Sequence, residues 1–249
     1  MTSPNRAIIL AAGQGKRLLP LTEARPKCLI ELSGRSLLAW QLLRLQAAGV
    51  DEALIVTGFR ADAVEAEIAS LGLSMPVKTA FNPFYTVSDN TASCWIVREA
   101  FDRDVLVLNG DTLFGPGVAE RLLDAPEAEI TVTIDRKPSY DADDMKVLTE
   151  GDRLRAIGKT IGAYDAESIG FLRFSKAGAA RFRAGVEHVL QTPDGLRRWY
   201  LSVIDELAHT GVDVRVASVE GLEWGEMDLP PDVDALTRLS SGWQPPRGA

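Results

Sequence analysis

Two glycines and four basic side chains lie close together near the start of the chain. Residues 10–32 read Leu-Ala-Ala-Gly-Gln-Gly-Lys-Arg-Leu-Leu-Pro-Leu-Thr-Glu-Ala-Arg-Pro-Lys-Cys-Leu-Ile-Glu-Leu. From Gly13 to Lys27 there are four basic residues against one acidic residue, although the whole chain has a formal net charge of −8. Glycine lets backbone N–H groups approach an anion closely, and clustered cations favour a polyphosphate. The segment therefore predicts a phosphate-binding loop.

This loop differs from the two common phosphate-binding fingerprints. A dinucleotide fingerprint has a third glycine three residues after the second, where this chain has Leu18. A P-loop has four residues between its first glycine and the Gly-Lys pair, where this chain has one. The alternative is a purely structural role, in which the Gly-x-Gly turn only connects a strand to a helix. The four cations, with Pro20 and Pro26, favour the phosphate-binding interpretation.

Two aspartates are candidates for a second chemical role. Asp111 follows an apolar segment of strand length, 104–108, and Asp228 precedes Pro230-Pro231. Because ligands bind at the carboxyl ends of the strands in open α/β sheets, Asp111 and Gly13 should share one sheet edge. Two carboxylates that converge there can form an acid/base pair or hold a metal ion. Taken singly, Asp111 could also be a turn residue and Asp228 a helix N-cap.

The elements that position these residues alternate between strand-like and helix-like patterns. This order predicts an α/β fold, with an open, mostly parallel sheet in three layers. Predicted strands cover 6–12, 53–57, 76–80, 104–108, 129–135, 166–174 and 213–217, with a glycine-turn hairpin over 146–157. Predicted helices lie around 38–48, 64–71, 90–101, 176–190 and 200–210. We expect a single domain over residues 1–242 and a disordered tail over 243–249.

Composition excludes several classes of protein. The chain has 249 residues, of which 46% are hydrophobic, and no apolar run approaches the ~18–20 residues of a membrane span. Two cysteines, Cys28 and Cys94, are too few for a disulfide framework or a cysteine zinc site. The acidic balance argues against binding nucleic acid. We expect a cytoplasmic protein, a monomer or homodimer, without a signal peptide or membrane insertion.

Residues 10–32 resemble the signature of nucleotidyltransferases that activate sugar 1-phosphates and related phosphoesters. The resemblance continues through Asn109-Gly110-Asp111 and Trp224-Gly225-Glu226-Met227-Asp228. It implies a Rossmann-like, GT-A-like fold with a mixed, mostly parallel sheet and a small C-terminal elaboration. It also implies the reaction NTP + R-phosphate → NDP-R + pyrophosphate.

The same resemblance implies roles for individual residues. Arg17 would hold the triphosphate, and Lys27 would hold the reacting α-phosphate and the acceptor. An acceptor phosphate has a second pKa of about 6 and needs no base, whereas the charge repulsion needs a cation. Asp111 and Asp228 are therefore predicted to bind Mg²⁺. The nucleotide-binding residues implied by the loop and the strand ends are Ala11, Ala12, Gly13, Gln14, Gly15, Lys16 and Gly110.

Further motifs resemble a subgroup, the bacterial cytidylyltransferases that act on phosphocholine and similar compounds. They are Asn82-Pro-Phe-Tyr85, Asp89-Asn-Thr-Ala-Ser93, Asp144-Met-Lys-Val147, Ile157-Gly-Lys159 and Glu167-Ser-Ile-Gly170. The resemblance implies that Asn90 and Ser93 lie near the base, and Lys146 and Lys159 near phosphate. It predicts a Mg²⁺-dependent enzyme that transfers CMP from CTP to phosphocholine or a similar small phosphomonoester or phosphonate, releasing pyrophosphate.

A cationic acceptor head group would be recognised by aromatic faces and carboxylates. The aromatic candidates are Tyr140, Trp199, Tyr200 and Trp224. The acidic candidates are Asp141, Asp143, Asp144, Glu167 and Glu226. The alternatives are core positions for the aromatic residues and a solvated loop for 141–144.

Three other functions are compatible with part of this sequence pattern. A sugar-1-phosphate or inositol-phosphate nucleotidyltransferase, using UTP, GTP or CTP, would share the signature. A non-catalytic regulatory subunit that binds nucleotide sugars is disfavoured. Such subunits usually lose the signature lysine or the metal-binding aspartates, whereas this chain keeps Arg17, Lys27, Asp111 and Asp228. A glycosyltransferase typically has Asp-x-Asp at this strand end, whereas this chain has Asn109 in the first position.

Overall fold

The computed structural model of the chain describes residues 6–244. Its strands are β1 (Arg6–Leu10), β2 (Glu31–Leu32), β3 (Arg35–Ser36), β4 (Glu52–Thr57), β5 (Val77–Phe81), β6 (Val105–Asn109), β7 (Thr112–Phe114), β8 (Ile130–Asp135), β9 (Lys146–Glu150), β10 (Arg153–Gly158), β11 (Ala166–Phe174), β12 (Val214–Ser218) and β13 (Trp224–Glu226). Its α-helices are α1 (Leu37–Ala47), α2 (Ala61–Ser70), α3 (Asn90–Ile96), α4 (Val118–Leu123), α5 (Lys176–Leu190), α6 (Tyr200–His209) and α7 (Pro230–Ser240).

Nine strands form one mixed sheet in the order β5-β4-β1-β6-β11-β8-β12-β10-β9. Pairing is parallel from β5 to β6 and between β8 and β12, and antiparallel elsewhere. The first two residues of β11 also pair with β9. Five strands therefore close into a ring in the order β11, β8, β12, β10 and β9. The predicted mixed α/β fold is confirmed. The sheet contains less parallel pairing than expected, because hairpin-linked strands such as β9 and β10 must run antiparallel.

Apolar strands and capped helices account for this architecture. β1 and β6 are almost wholly buried, as expected for parallel strands with helices on both faces. Ser36 caps α1 by accepting a hydrogen bond from the N–H of Ala39 at 3.0 Å, and Ser175 caps α5 similarly. One apolar cluster packs beneath α5 and α6, and another packs beneath α1 and α4. No helix within residues 6–244 is long and apolar enough to cross a membrane.

A short ribbon that the sequence patterns did not predict brings the two candidate aspartates together. β13 pairs antiparallel with β7, with Glu226 opposite Thr112. The N–H of Met227 donates to the carbonyl of Asp111 at 3.0 Å. Asp228 therefore comes to lie beside the end of β6, although it is far from Asp111 in sequence. Predicted helix 90–101 is also shorter, since α3 ends at Ile96 and a separate 3-10 turn follows.

The C-terminal boundary of the domain lies beyond residue 242. Trp243 is buried, its ring meets that of Trp40 edge-on at 5.7 Å, and its indole N–H donates to Glu223 at 2.6 Å. Arg44 donates to the carbonyl of Gln244 at 3.2 Å. The predicted tail is thus wrong for residues 243–244, because these contacts fix them to α1. Residues 245–249 of that prediction lie outside the described residues.

Candidate active site

The glycine loop follows β1 and is held by backbone contacts. The N–H of Ala11 donates to the carbonyl of Val56 at 3.0 Å, and Thr22 Oγ1 donates to the carbonyl of Gly15 at 2.8 Å. Gly15 has a φ of +78°, and a Cβ atom there would lie 2.8 Å from the Cβ of Lys27. Only glycine suits this position, since it accepts the left-handed conformation and the close approach of Lys27.

The loop opens onto a space of about 350 Å³, here called the glycine-loop cavity. Its wall includes seven of the nine predicted nucleotide-binding residues: Ala11, Ala12, Gly13, Gly15, Asn90, Ser93 and Gly110. The other two, Gln14 and Lys16, line an adjoining space of about 310 Å³, the outer cavity. The structure therefore brings the whole predicted set to one cleft, while its contacts with a nucleotide stay a prediction.

Lys27 lies between the two candidate metal-binding aspartates. Its Nζ is 2.8 Å from Asp111 Oδ2 and 2.5 Å from Asp228 Oδ1, and Arg17 lies 2.9 Å from Asp228 Oδ2. Burial alone would lower the pKa of Lys27, but the two carboxylates outweigh it and hold that pKa above its usual value. Burial would raise the pKa of Asp228, yet Lys27 and Arg17 lower it overall. Lys27 and Asp228 thus stay ionised together.

A third space of about 210 Å³, the acidic cavity, adjoins the glycine-loop cavity. The residues that line both are Arg17, Asp89, Asn90, Asn109 and Asp111. The acidic cavity is also lined by Asp143, Met145, Lys159, Ser168, Gly170, Trp199, Leu201, Glu226 and Asp228. Two ligands, one in each cavity, would meet where these walls join.

Two predicted acceptor-binding residues, Lys159 and Glu226, lie in the acidic cavity. Lys159 Nζ stands 4.8 Å from the ring centroid of Trp199 and 3.4 Å from Asp143 Oδ1. Burial, reinforced by the charges of Asp111 and Asp228, raises the pKa of Glu226 to about 8. Trp199 is 40% exposed, so part of its side chain is open to solvent, although Lys159 lies over its ring.

The predicted aromatic cage is largely wrong. Tyr200 has no exposed surface and packs against Phe182 in the core, where it cannot touch a ligand. Trp224 belongs to the β7–β13 ribbon, and its indole N–H donates to Asp135 at 2.8 Å. Tyr140 donates to the carbonyl of Asp165 at 3.0 Å, and it does not line the acidic cavity. Among the four aromatic candidates, only Trp199 lies on that wall.

Two predicted charged contacts are also committed elsewhere. Lys146 is 7% exposed, and its Nζ donates to the carbonyls of Asp141 at 2.6 Å and Lys159 at 3.3 Å. Glu167 is buried, and its Oε2 lies 2.8 Å from Lys137 Nζ. Burial raises the pKa of Glu167 to about 7, despite the opposing effect of Lys137. Both side chains stabilise the wall behind the cavity, so they are not available to bind an acceptor.

The other acidic candidates, all on the loop between β8 and β9, divide in the same way. Asp144 pairs with Lys137 at 2.9 Å, and Asp141 engages the same loop through its backbone. Asp143 instead faces the cleft and lies 3.2 Å from Arg17.

Three further residues of the sequence motifs, to which the sequence assigns no role, lie in the cleft. Tyr85 lines both the glycine-loop and outer cavities and packs against Gly58. Asn82 donates to Ser93 Oγ at 3.1 Å. Asp89 precedes α3 but makes no side-chain cap, and burial raises its pKa. The position of Asp89 before a predicted helix is the sequence feature that could have identified it. An N-cap aspartate at a cleft either caps its helix or faces the ligand.

Within residues 6–244, no group of three or more His, Cys, Asp or Glu side chains is arranged to hold a metal ion. The donor set nevertheless suits magnesium, which is often held by one or two carboxylates together with substrate phosphates and water. Asp111 and Asp228 already share one cation, the Lys27 ammonium. In addition, Asp111 Oδ1 is buried and has no hydrogen-bond partner in the described part of the chain.

The two cysteines are buried and free. Cys28 lies under the glycine loop, and burial raises the pKa of its thiol to about 12. Burial raises the pKa of Cys94 as well. Neither side chain forms a thiolate near neutral pH, which agrees with a packing role.

Residues 6–156 match the Nucleotidyl transferase family. The chain belongs to this family. The predicted enzyme class is confirmed at this level. The fold agrees with a solved structure, the inositol-1-phosphate CTP transferase from T. maritima. That structure has a TM-score of 0.81 and 21% sequence identity, covering 98% of this chain and 99% of the other.

Two curated relatives of this nucleotidyltransferase extend the comparison. CMP-5'-(3-aminopropyl)phosphonate synthase of Streptomyces rubellomurinus is 33% identical over 247 residues, covering 92% of this chain but 38% of that protein. CTP:phosphoglutamine cytidylyltransferase of Campylobacter jejuni is 25% identical over 254 residues, covering 92% of this chain and 97% of the relative. The chain thus spans well under half the length of the first relative and nearly all of the second.

Proposed function

We propose that this nucleotidyltransferase transfers a cytidylyl group from CTP to a small phosphomonoester or phosphonate and releases pyrophosphate. The observation that carries the proposal is the junction of two cavities at Arg17 and Asp111, beside Lys27. The names of both relatives and of the structural neighbour refer to CMP or CTP, which supports cytidine as the base.

In this proposal the nucleotide occupies the glycine-loop cavity. Backbone N–H groups of the loop bind the phosphates, as glycine-rich loops after a strand commonly do. Asn90 and Ser93, which line the same cavity, face the base. Arg17 and Lys16 neutralise the β- and γ-phosphates at the opening toward the outer cavity.

The acceptor phosphate attacks from the acidic cavity. One acceptor oxygen forms a bond to the α-phosphorus, while the bond from that phosphorus to the bridging oxygen breaks and pyrophosphate leaves. No proton moves, because the acceptor phosphate is already largely dianionic near neutral pH. Lys27, held cationic and oriented by Asp111 and Asp228, stabilises the charge on the α-phosphate.

Asp111 and Asp228 are proposed to hold magnesium once nucleotide is bound. A bound magnesium ion would neutralise phosphate charge and help to align the leaving pyrophosphate. Before nucleotide binds, Arg17 and Lys27 engage both oxygens of Asp228. A triphosphate competes for Arg17, and this exchange frees a carboxylate oxygen.

The acceptor is proposed to carry an ammonium group, as phosphocholine and aminoalkylphosphonates do. Lys159 already places an ammonium over the face of Trp199, and a cationic head group would make the same contact after displacing Lys159. Asp89 and Asp143 supply negative charge on the same wall. The uncharged sugar of a sugar 1-phosphate would gain nothing from this arrangement.

The test is pyrophosphate release with Mg²⁺, crossing CTP, UTP, GTP, ATP and dTTP against phosphocholine, 3-aminopropylphosphonate, glucose 1-phosphate and inositol 1-phosphate. We expect turnover with CTP and an ammonium-bearing acceptor. Turnover with glucose 1-phosphate or inositol 1-phosphate would instead retain nucleotidyl transfer and refute the ammonium subsite. No turnover with any pair would contradict the proposal. The matched control is Asp111→Ala, which should leave the melting temperature unchanged and abolish Mg²⁺-dependent turnover.

A further inference from the structure

Asn109 lies where the two reactant cavities meet. It is the last residue of β6, and it lines both the glycine-loop cavity and the acidic cavity. Its carbonyl accepts a hydrogen bond from Gln41 Nε2 at 2.9 Å, which fixes the backbone of the strand end. Nothing in the proposed chemistry so far uses its side chain.

The fold makes a recess for this side chain. Opposite Asn109, β11 carries a bulge between Ser168 and Leu172, and Gly170 within it has a φ of +69°. A Cβ atom on Gly170 would lie 2.2 Å from Asn109 Nδ2. Because any larger residue at 170 would push the carboxamide away, the glycine and the bulge together set its position.

Two oxygens at this strand end have no partner. Asn109 Oδ1 and Asp111 Oδ1 are both buried without a hydrogen bond to any part of residues 6–244. Asp111 uses its other oxygen for Lys27, while both oxygens of Asp228 are engaged. A buried oxygen left unpaired costs free energy, so a ligand that satisfies both atoms would be favoured.

We propose that the carboxamide oxygen of Asn109 is a third protein ligand of the divalent cation, beside Asp111. Two unpaired acceptor oxygens, on residues that line the same two cavities, call for a cation, since a phosphate group offers only more acceptors. Amide oxygens are suitable ligands for hard cations such as Mg²⁺ and Mn²⁺. The inference rests on the proposed function for the presence of a catalytic cation, but its ligand set is tested without turnover.

The experiment measures Mn²⁺ binding to the full chain from the loss of the free-ion electron paramagnetic resonance signal, with and without CTP. Asn109→Ala should bind Mn²⁺ about tenfold more weakly than wild type, the scale seen when a supporting group is lost from a metal site. Asn109→Asp should bind it about threefold or more tightly, because an added carboxylate raises the ligand charge. Opposite effects of the two variants would not follow from a merely structural role.

Two controls make the result decisive. Asp111→Asn should weaken Mn²⁺ binding strongly. Asn82→Ala, a matched change of a buried asparagine in the glycine-loop cavity, should leave Mn²⁺ binding without CTP unchanged, since Asn82 is already bonded to Ser93. Thermal melting checks that each variant is folded.

Wild-type affinity in Asn109→Ala, or weaker binding in Asn109→Asp, would overturn the inference. So would the absence of Mn²⁺ binding to wild type under both conditions. Asn109-dependent binding in a protein that turns over no CTP would preserve the ligand assignment and refute the proposed function instead.

Discussion

The two walls of the cleft are built in different ways. On the glycine-loop wall, the chain itself forms the surface, and Gly15 and Gly110 allow neighbouring segments to approach within contact distance. On the acidic-cavity wall, the surface depends on paired side chains behind it. There Lys137 lies 2.8 Å from Glu167, and Lys146 donates to two backbone carbonyls.

This difference separates a general task from a specific one. Backbone N–H groups bind the phosphates that every nucleoside triphosphate shares, so that wall needs a fixed loop rather than particular side chains. The other wall must distinguish one acceptor from another, and side chains are what can be varied for this purpose. We expect substitutions on the first wall to affect all substrates, and those on the second to affect one acceptor class.

The largest effect is expected at Lys27, which lies beside the junction of the two walls at Asp111. Lys27→Ala should lower kcat by about 100- to 1,000-fold, because one donor aimed at developing charge is worth about 2.7–4 kcal/mol. Pyrophosphate release under saturating CTP measures it. Arg25→Ala is the control, since this exposed cation of the same loop is 3.5 Å from Glu31 and should matter less than about threefold. A loss confined to KM would show that Lys27 binds substrate and transition state equally.

The second effect concerns the buried carboxyl behind the acidic cavity. With its folded-state pKa at about 7, against 4.5 unfolded, Glu167 holds a proton in the native state that the unfolded chain releases. The free energy of unfolding should therefore fall as pH rises from about 4.5 to 7, by about 1.4 kcal/mol per pH unit. Urea denaturation of Glu167→Gln should show a flatter pH profile than that of wild type.

Exposed Glu23, in the segment that follows the glycine loop, supplies the control, and Glu23→Gln should keep the wild-type profile. Identical profiles for wild type and Glu167→Gln would mean that Lys137 fully offsets the burial of Glu167. The acidic-cavity wall would then be no more sensitive to pH than the glycine loop.

The residues of the glycine-loop wall are easier to predict from the sequence than those of the acidic-cavity wall, for a physical reason. The loop motif and the end of β6 are local sequence patterns, and their residues lie in the cleft as predicted. The strand-and-helix rhythm likewise predicted most of the nine-stranded sheet. The β7–β13 ribbon is short, only three residues in each strand, and carries little periodic signal.

The acceptor residues could not be sorted by type and spacing alone. Tyr200 and Trp199 are adjacent in sequence, yet one is fully buried and the other is 40% exposed. That distinction depends on where α6 begins and on the packing of Phe182, neither of which a residue list contains. Likewise, the recess for the Asn109 side chain depends on a bulge in β11, a strand that is far from Asn109 in sequence.

A smaller effect distinguishes two glycines of the loop. Gly15→Ala should lower the free energy of unfolding by about 1–3 kcal/mol, since alanine must adopt a φ of +78° and press against Lys27. Gly13 has no left-handed φ, and a Cβ atom there meets nothing within 4 Å. Gly13→Ala should therefore be neutral or stabilise by up to about 1 kcal/mol. Equal losses in urea denaturation would argue against the fixed backbone of this wall.

The smallest effect tests whether the acidic-cavity wall selects the acceptor. Trp199→Ala should raise the KM for phosphocholine between about twofold and thirtyfold, because a cation–π contact contributes about 0.5–2 kcal/mol. The KM for CTP should not change, since Trp199 is absent from the glycine-loop cavity wall. Initial rates at varied concentrations of each substrate measure both constants.

Trp224→Ala is the matched control, because its indole is bonded to Asp135 away from the cavity. This variant should lower the melting temperature and leave the KM for phosphocholine unchanged. Methylphosphonate, which has no ammonium group, provides the second comparison, and its KM should not respond to Trp199→Ala. If the loss were equal for both acceptors, Trp199 would shape the cavity without recognising charge. The two walls would then differ in construction but not in selectivity.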